Sequence, residues 1–263
     1  MELFRRNLAE LRKRYAREGA AIPQRLVESL RADERAGARK LAEELEQRRD
    51  ERARERRRVG RLWRLEKRLA TEGHARIAGA DEVGMGPLAG PVVAVAVVLP
   101  LGLSLVGLDD SKRLTPESRE RLEAEIRSHA LDVGLACVEV EEIDRINIYR
   151  AGQLAIRRAL AALQAPPDAV VVDGRSVPDV QCHQVAVIGG DARVASIAAA
   201  SVIAKVHRDS LMRELDRAYP GYGFAQHMGY STPQHFDALT RLGPSPIHRR
   251  SFAPVRDAAC RTP

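Results

Sequence analysis

The chain has 263 residues, 44% of them apolar, enough for one large domain or a domain with an appendage. Its longest unbroken apolar run, Val92–Leu99, falls far short of the ~20 residues of a membrane-spanning helix, and Met1-Glu-Leu-Phe-Arg-Arg6 opens no secretion signal. Three widely spaced cysteines, Cys137, Cys182 and Cys260, build neither a disulfide framework nor a zinc cluster, so a reduced, cytoplasmic protein is expected; it is also expected to be a monomer.

The formal net charge of +7 is unevenly spread. Residues 1–72 hold 22 basic and 14 acidic residues, a net +8, and the remaining chain is −1. A basic arm on a nearly neutral body suggests an anionic partner, most commonly nucleic acid. The competing reading is arginine-rich genomic composition, since 38 of the 43 basic residues are Arg.

In chain order, residues 1–72 read as a helical extension. A 3.6-residue period appears in Leu8, Leu11 and Tyr15, in Leu41 and Leu45, and in Leu62, Leu65 and Leu69. Pro23 separates the first helix from the rest, and Gln47–Arg58, charged almost throughout, reads as a solvated helix or linker. From Ala75 the pattern changes to short apolar runs between turns. Strands are predicted at Arg76–Ala80, Val92–Leu99, Val133–Glu139, Ala169–Val172 and Gln181–Ile188, the first two joined by a tight Gly/Pro loop that favours antiparallel pairing. Thr115-Pro116 supplies a cap and first-turn proline for one helix; further helices are predicted over Glu141–Asn147, Tyr149–Leu163 and Val194–Tyr219. Strands alternating with helices give a mixed α/β sheet. The predicted division is an extension at 1–72, a catalytic body at 73–218 and a carboxy-terminal helical region with its tail at 219–263.

Carboxylates fall where the apolar strands stop. Asp81 and Glu82 follow Ile77-Ala-Gly-Ala80, Asp173 follows Ala169-Val-Val-Val172, and Asp191 follows Gly189-Gly190, where it could cap the next helix. Taken singly, these are ordinary strand ends, Asp-Gly turns and caps. If the first and fourth strands are neighbours, the four acids converge. Such a cluster repels itself unless divalent cations are present, and its oxygen donors select Mg²⁺ or Mn²⁺. That combination suits phosphoryl transfer by two metal ions, and beside a basic arm it implies a nuclease. Gly84-x-Gly86-x-x-Ala89 also matches a dinucleotide-binding fingerprint, but a β-branched run follows it where a helix would be required, which excludes that reading.

Five segments now acquire a joint meaning. Asp81-Glu-Val-Gly-Met-Gly-Pro-Leu-Ala-Gly-Pro-Val-Val93, Leu108-Asp-Asp-Ser-Lys112-Arg-Leu114, Val172-Asp173-Gly174, Ala198-Ala-Ala-Ser201-Val-Ile-Ala-Lys205-Val-His-Arg-Asp209 and Gly229-Tyr230-Ser-Thr-Pro-Gln-His235 resemble bacterial ribonuclease HII in order and spacing, over about residues 75–255. The resemblance implies a ribonuclease H-like fold: a five-stranded mixed sheet with its second strand antiparallel, flanked by helices, with a helical carboxy-terminal region. It also implies an endonuclease that cuts RNA in RNA–DNA hybrids and 5′ of single ribonucleotides in duplex DNA, leaving 5′-phosphate and 3′-hydroxyl ends.

Carried over by motif, Asp81, Glu82, Asp173 and Asp191 match the catalytic and metal-binding acids. Gly84, Met85, Gly86 and Tyr230 match the contacts to the 2′-hydroxyl junction. Lys112 and Lys205, the only lysines after residue 72, are expected near phosphate or a carboxylate, with Asp109, Asp110 and Asp209 as their supporting acids. The family loop is usually Gly-Arg-Gly; Met85 cannot pair with phosphate. Half of the ten aromatics lie in Tyr219–Phe236, and only Tyr230 is expected to be functional, most of the five forming the small core of the carboxy-terminal helices. A ribonuclease HIII or other superfamily nuclease, and a catalytically weakened hybrid-binding protein, are the alternatives. The Asp81-Glu82 pair with its compact glycine loop favours the first family, and retention of all four acids favours an enzyme. The extension, with an Asp33-Glu-Arg35 step like that of some members, is expected to aid substrate binding.

Overall fold

The computed structural model of the protein describes residues 7–16 and 20–260. The chain forms two compact units that divide between Arg58 and Val59. The first is helical: α1 (Leu8–Ala16), α2 (Gln24–Arg31) and most of α3 (Ala36–Leu62). Pro23 precedes α2 with an extended backbone, as its fixed φ and missing N–H favour at a helix start. The periodic leucines form the core of this unit, with Leu11, Tyr15, Leu26, Val27, Leu30, Leu41 and Leu45 buried together. Arg12 pairs with Glu44 at 3.0 Å, and Asp33 accepts hydrogen bonds from the backbone and guanidinium of Arg35 in the α2–α3 turn. Gln47–Arg58 continues α3 as helix.

The second unit contains the sheet. The change of composition at residues 72/73 marks the approach to the first strand but not the unit boundary, because α4 (Arg64–Thr71) belongs to this core. Leu69 is buried with Ala169, Val171, Val194 and Ile197, and the indole N–H of Trp63 donates to the Leu103 carbonyl at 2.9 Å.

Strands β1 (Ile77–Val83), β2 (Val92–Val98), β3 (Asp132–Val138), β4 (Ala169–Asp173) and β5 (His183–Val187) form one sheet in the order β3-β2-β1-β4-β5. β2 runs antiparallel to β1 and β3; β1–β4 and β4–β5 are parallel. This is the arrangement that the family resemblance implies. Every residue of β2 is buried, since helices cover both faces and leave no reason for polar alternation.

On one face lies α8 (Ala195–Ala218), with α5 (Pro116–His129) beyond it; on the other lies α7 (Ile148–Ala161), preceded by α6 (Val140–Ile146). Thr115 caps α5 by accepting from the Ser118 N–H at 3.2 Å, as its Thr-Pro sequence predicts. Gly79 lets α8 sit close on β1: a Cβ there would lie 2.2 Å from the Ser196 carbonyl carbon. α9 (Phe224–His227), α10 (Pro233–Leu242) and α11 (Ala253–Ala259) complete the carboxy-terminal region, where Tyr222 and Phe224 pack with Met212 and Ala238. Among the described residues no helix is long and apolar enough to cross a membrane.

Candidate active site

Asp81 and Glu82 do not follow β1; they lie inside it, paired in register with Val95 and Ala94. The antiparallel ladder with β2 carries the strand on to Val83 despite the charges. Because successive strand residues face opposite ways, the two acids straddle the sheet. Asp81 lies on the α8 face, where Ser201 donates to it. Glu82 lies towards α7, its Cγ 3.8 Å from where a Gly152 Cβ would stand.

The parallel partner β4 brings Asp173 level with them, since Ala80 pairs with Val172. Its carboxylate accepts from the Gly190 N–H at 2.7 Å. Asp191 sits in a 3-10 turn, Gly190–Ala192, after Gly189 in the left-handed region at φ 64°. It does not cap the following helix. The first N–H groups of α8 are met by Glu66 of α4, which accepts from the Ser196 N–H at 3.0 Å and its hydroxyl at 2.9 Å.

The four acids therefore converge as the sequence predicts, and their electrostatics show it. Burial, then the charge of Glu82, and further the charges of Asp173 and Asp191, push Asp81 well above the usual carboxylate range against the Ser201 hydrogen bond. Burial and then Asp173 push Glu82 up to about 7. Lys112 is the nearby counter-charge, 3.2 Å from Asp191 and 78% exposed; although burial disfavours its ammonium, the bond to Asp191 raises its pKa.

Among the described residues no three carboxylate, imidazole or thiol groups are placed so that together they hold a metal ion as they stand. Asp81, Asp173 and Asp191 are each held by a separate donor. The donor set nevertheless suits a hard divalent cation: four carboxylates, no thiolate, and a mutual repulsion within the β1 pair that one lysine does not offset.

The remaining predicted residues fall around these acids. Gly84 has φ 94°, in the region that favours glycine. Gly86 is exposed beside the Tyr230 ring, whose Cε1 would stand 3.6 Å from a Gly86 Cβ. Tyr230 is exposed and lies beside the Arg208 guanidinium, while Tyr222 and Phe224 are core; Phe236, one of the five aromatics of this tract, is exposed and lies outside that core. Met85 is half-buried against α7, its sulfur 2.8 Å from the position of a Gly152 Cβ.

Lys205 is only partly exposed. It donates to Asp209 at 2.6 Å. Asp209 in turn lies 3.6 Å from Arg119, which donates to the carbonyls of Ser111 and Leu114. Lys205 thus helps to hold the loop that presents Lys112. Asp110 supports the same loop by accepting from the Lys112 N–H at 2.9 Å, and Ser111 and Ser201 hydroxyls meet at 2.9 Å, joining it to Asp81. Sequence reasoning missed Glu66, Arg119, Ser201 and the buried pair Arg208 and Arg249. Only the positions of Ser201 and Arg208 within a quoted motif could have drawn attention to them.

A five-stranded mixed sheet with acids from its two central strands and an adjoining turn, bordered by a glycine loop, defines a nuclease of the ribonuclease H class. The ribonuclease HII family profile matches residues 78–255. The chain is 51% identical to the ribonuclease HII of Myxococcus xanthus over 258 residues, 98% of this chain and 88% of that protein. It is 54% identical to that of Geobacillus kaustophilus over 230 residues, 88% of each. Its fold is similar to the crystal structure of ribonuclease H2 from Pyrococcus horikoshii, with a TM-score of 0.62 and 27% identity, covering 71% of this chain and 98% of that one. The chain belongs to the ribonuclease HII family, endoribonucleases that cleave RNA in RNA–DNA hybrids and at ribonucleotides embedded in DNA, and that depend on divalent metal ions.

Proposed function

We propose that Asp81, Glu82, Asp173 and Asp191 are the catalytic acids of this activity and hold Mg²⁺ or Mn²⁺. The observation that carries this is the register that brings Asp81, Glu82 and Asp173 together on β1 and β4, where burial and then their mutual repulsion raise both members of the β1 pair. When bound, two such ions supply Lewis acids that activate water and stabilise the departing 3′-oxygen. The chain's own residues then set geometry. β1 and β4 fix three of the acids on rigid strands, and Lys112, exposed beside Asp191, is the cation that would meet the phosphate backbone. Lys205 and Asp209 brace the Lys112 loop.

The backbone of Gly84-Met85-Gly86, with the Tyr230 ring beside it, reads the 2′-hydroxyl at the RNA–DNA junction, the group that separates RNA from DNA. The basic extension adds sequence-independent affinity. The enzyme is assigned to the cytoplasm and acts as a monomer on RNA–DNA hybrids and ribonucleotide-containing duplexes.

The test is incubation with Mg²⁺ or Mn²⁺ and a duplex carrying one ribonucleotide. A single nick 5′ of that residue, leaving 5′-phosphate and 3′-hydroxyl ends and lost in Asp81→Asn and Asp173→Asn, is expected; binding without nicking by the native chain sinks the assignment.

A further inference from the structure

Two arginines, Arg208 of α8 and Arg249 before α11, are fully buried beneath the glycine loop. Among the described residues neither forms an ion pair with a carboxylate. Burying an unpaired guanidinium costs several kcal/mol unless its donors are satisfied, and here, among the described residues, every hydrogen-bond acceptor is a backbone carbonyl. Arg249 donates to Gly84 at 2.6 Å, to Met85 at 3.2 Å, and twice to Gly90 at 2.9 and 2.7 Å. Arg208 donates to Pro91 at 3.1 Å, to Ala89 at 3.1 Å and to Met228 at 3.0 Å. Burial, and then the neighbouring charge of Arg208, push Arg249 down to about 9. The two cations thus remain together against their own repulsion.

The consequence follows from the planar trans peptide, whose C=O and N–H point in opposite directions. With the Gly84 and Met85 carbonyls drawn down onto Arg249, the next amides, those of Met85 and Gly86, are turned away from it. Those two N–H groups have no hydrogen-bond acceptor among the described residues. Gly84 permits the arrangement: a Cβ there would lie 2.4 Å from Arg208 Nε.

The anchor is itself fixed on both sides. His248 bonds Ser245 and shares a 2.9 Å contact with His235, which bonds the Tyr230 carbonyl; Asp144 accepts from the N–H groups of Arg250 and Ser251. Tyr230 and the loop are therefore held by one connected network.

We propose that Arg249, backed by Arg208, is the positioning residue for ribose recognition: it presents the Met85 and Gly86 amides as a fixed pair of donors to the 2′-hydroxyl. This rests on the glycine-loop reading given above. Lysine retains the charge but cannot reproduce a planar fork that reaches three carbonyls at once.

The test compares native enzyme, Arg249→Lys and Arg208→Lys with Mg²⁺. Steady-state cleavage of a single-ribonucleotide duplex is measured, with the identical all-DNA duplex as competitor. In Arg249→Lys, kcat/KM is expected to fall about tenfold or more, equivalent to at least ~1.4 kcal/mol, while the inhibition constant of the all-DNA duplex stays within about twofold, because backbone grip is untouched. Arg208→Lys shifts the same ratio in the same direction and carries the test if Arg249→Lys does not fold. Equal loss towards both duplexes, unchanged cleavage, or failure of both variants to fold assigns the arginines to stability alone and overturns the proposal. If the native enzyme itself holds the all-DNA duplex as tightly as the ribonucleotide duplex, the glycine-loop reading fails instead.

Discussion

Replacing Glu82 by Gln is expected to remove activity and, in metal-free protein, to increase stability. Glu82 has a pKa pushed up to about 7 by burial and then by Asp173, against an ordinary 4.5. A raised carboxyl pKa means that the folded state holds the proton more tightly than the unfolded chain. Folding is therefore undisturbed below pH 4.5 and progressively weakened as pH rises to about 7. At ~1.36 kcal/mol per pH unit this amounts to about 3 kcal/mol at pH 8 and under about 1 kcal/mol at pH 5.

The amide cannot ionise, so Glu82→Gln escapes the penalty. Comparing variant with native protein at each pH cancels the titrating groups that do not feel Glu82, among them His248, which burial followed by His235 lowers to about 3; relief of Asp81 from the Glu82 charge adds to the gain in the same direction. The assay is denaturation in EDTA at pH 5 and pH 8 followed by Trp63, the chain's one tryptophan and a buried residue of the second unit. An increment of about 3 kcal/mol corresponds to ~6–12 °C in Tm for a domain of this size. Saturating Mg²⁺ is expected to close the gap by binding native protein alone. Equal increments at the two pH values, or none at pH 8, would refute the reasoning.

Three further outcomes are expected. Gly79→Ala places a methyl group 2.2 Å from the α8 backbone at Ser196; helix and strand must separate, at about 1–3 kcal/mol or more, and an unchanged melting temperature would contradict the packing described. Met85→Arg gives up the contact with Gly152 but adds a cation beside the acidic cleft, so KM for duplex substrate is expected to fall at moderate salt with kcat little changed, and KM that does not improve counts against a missing phosphate contact. Deleting residues 1–58, which carry a formal +6, is expected to weaken duplex binding and flatten its salt dependence, whereas deleting 1–72 also removes Trp63, Glu66 and Leu69 and lowers the Tm of the remaining unit; an unchanged salt slope would remove the extension's assigned role.

The sheet was legible because its strands are buried on both faces, so that Val92–Val98 and Ala169–Val172 read as apolar runs bounded by turns. The acids were legible because charge at the end of such a run is conspicuous. The extent of β1 was not: Asp81 and Glu82 look like a strand's end, and only pairing with Val95 and Ala94 keeps them within it. Glu66 and Ser196 are 130 positions apart, and no local pattern marks one helix as the cap of another. The two arginines were hidden for a related reason: they satisfy carbonyls, which every residue carries, and so leave no complementary signature in side-chain sequence. Composition likewise placed a boundary at 72/73, yet α4 follows the amphipathic rule of the extension while its leucine is buried with β4.

α8 has a further consequence. Ser201, which holds Asp81, and Arg208, which holds the glycine loop, are seven residues apart on this one helix. At ~1.5 Å per residue and 3.6 residues per turn, they share a face about 10 Å apart. On the proposed assignment of the site, the helix works as a ruler, with an acid of the cutting set read off at one mark and the loop assigned to the sugar at the other. The step between recognised ribose and broken phosphate is then a property of helix geometry, insensitive to which bases fill the cleft.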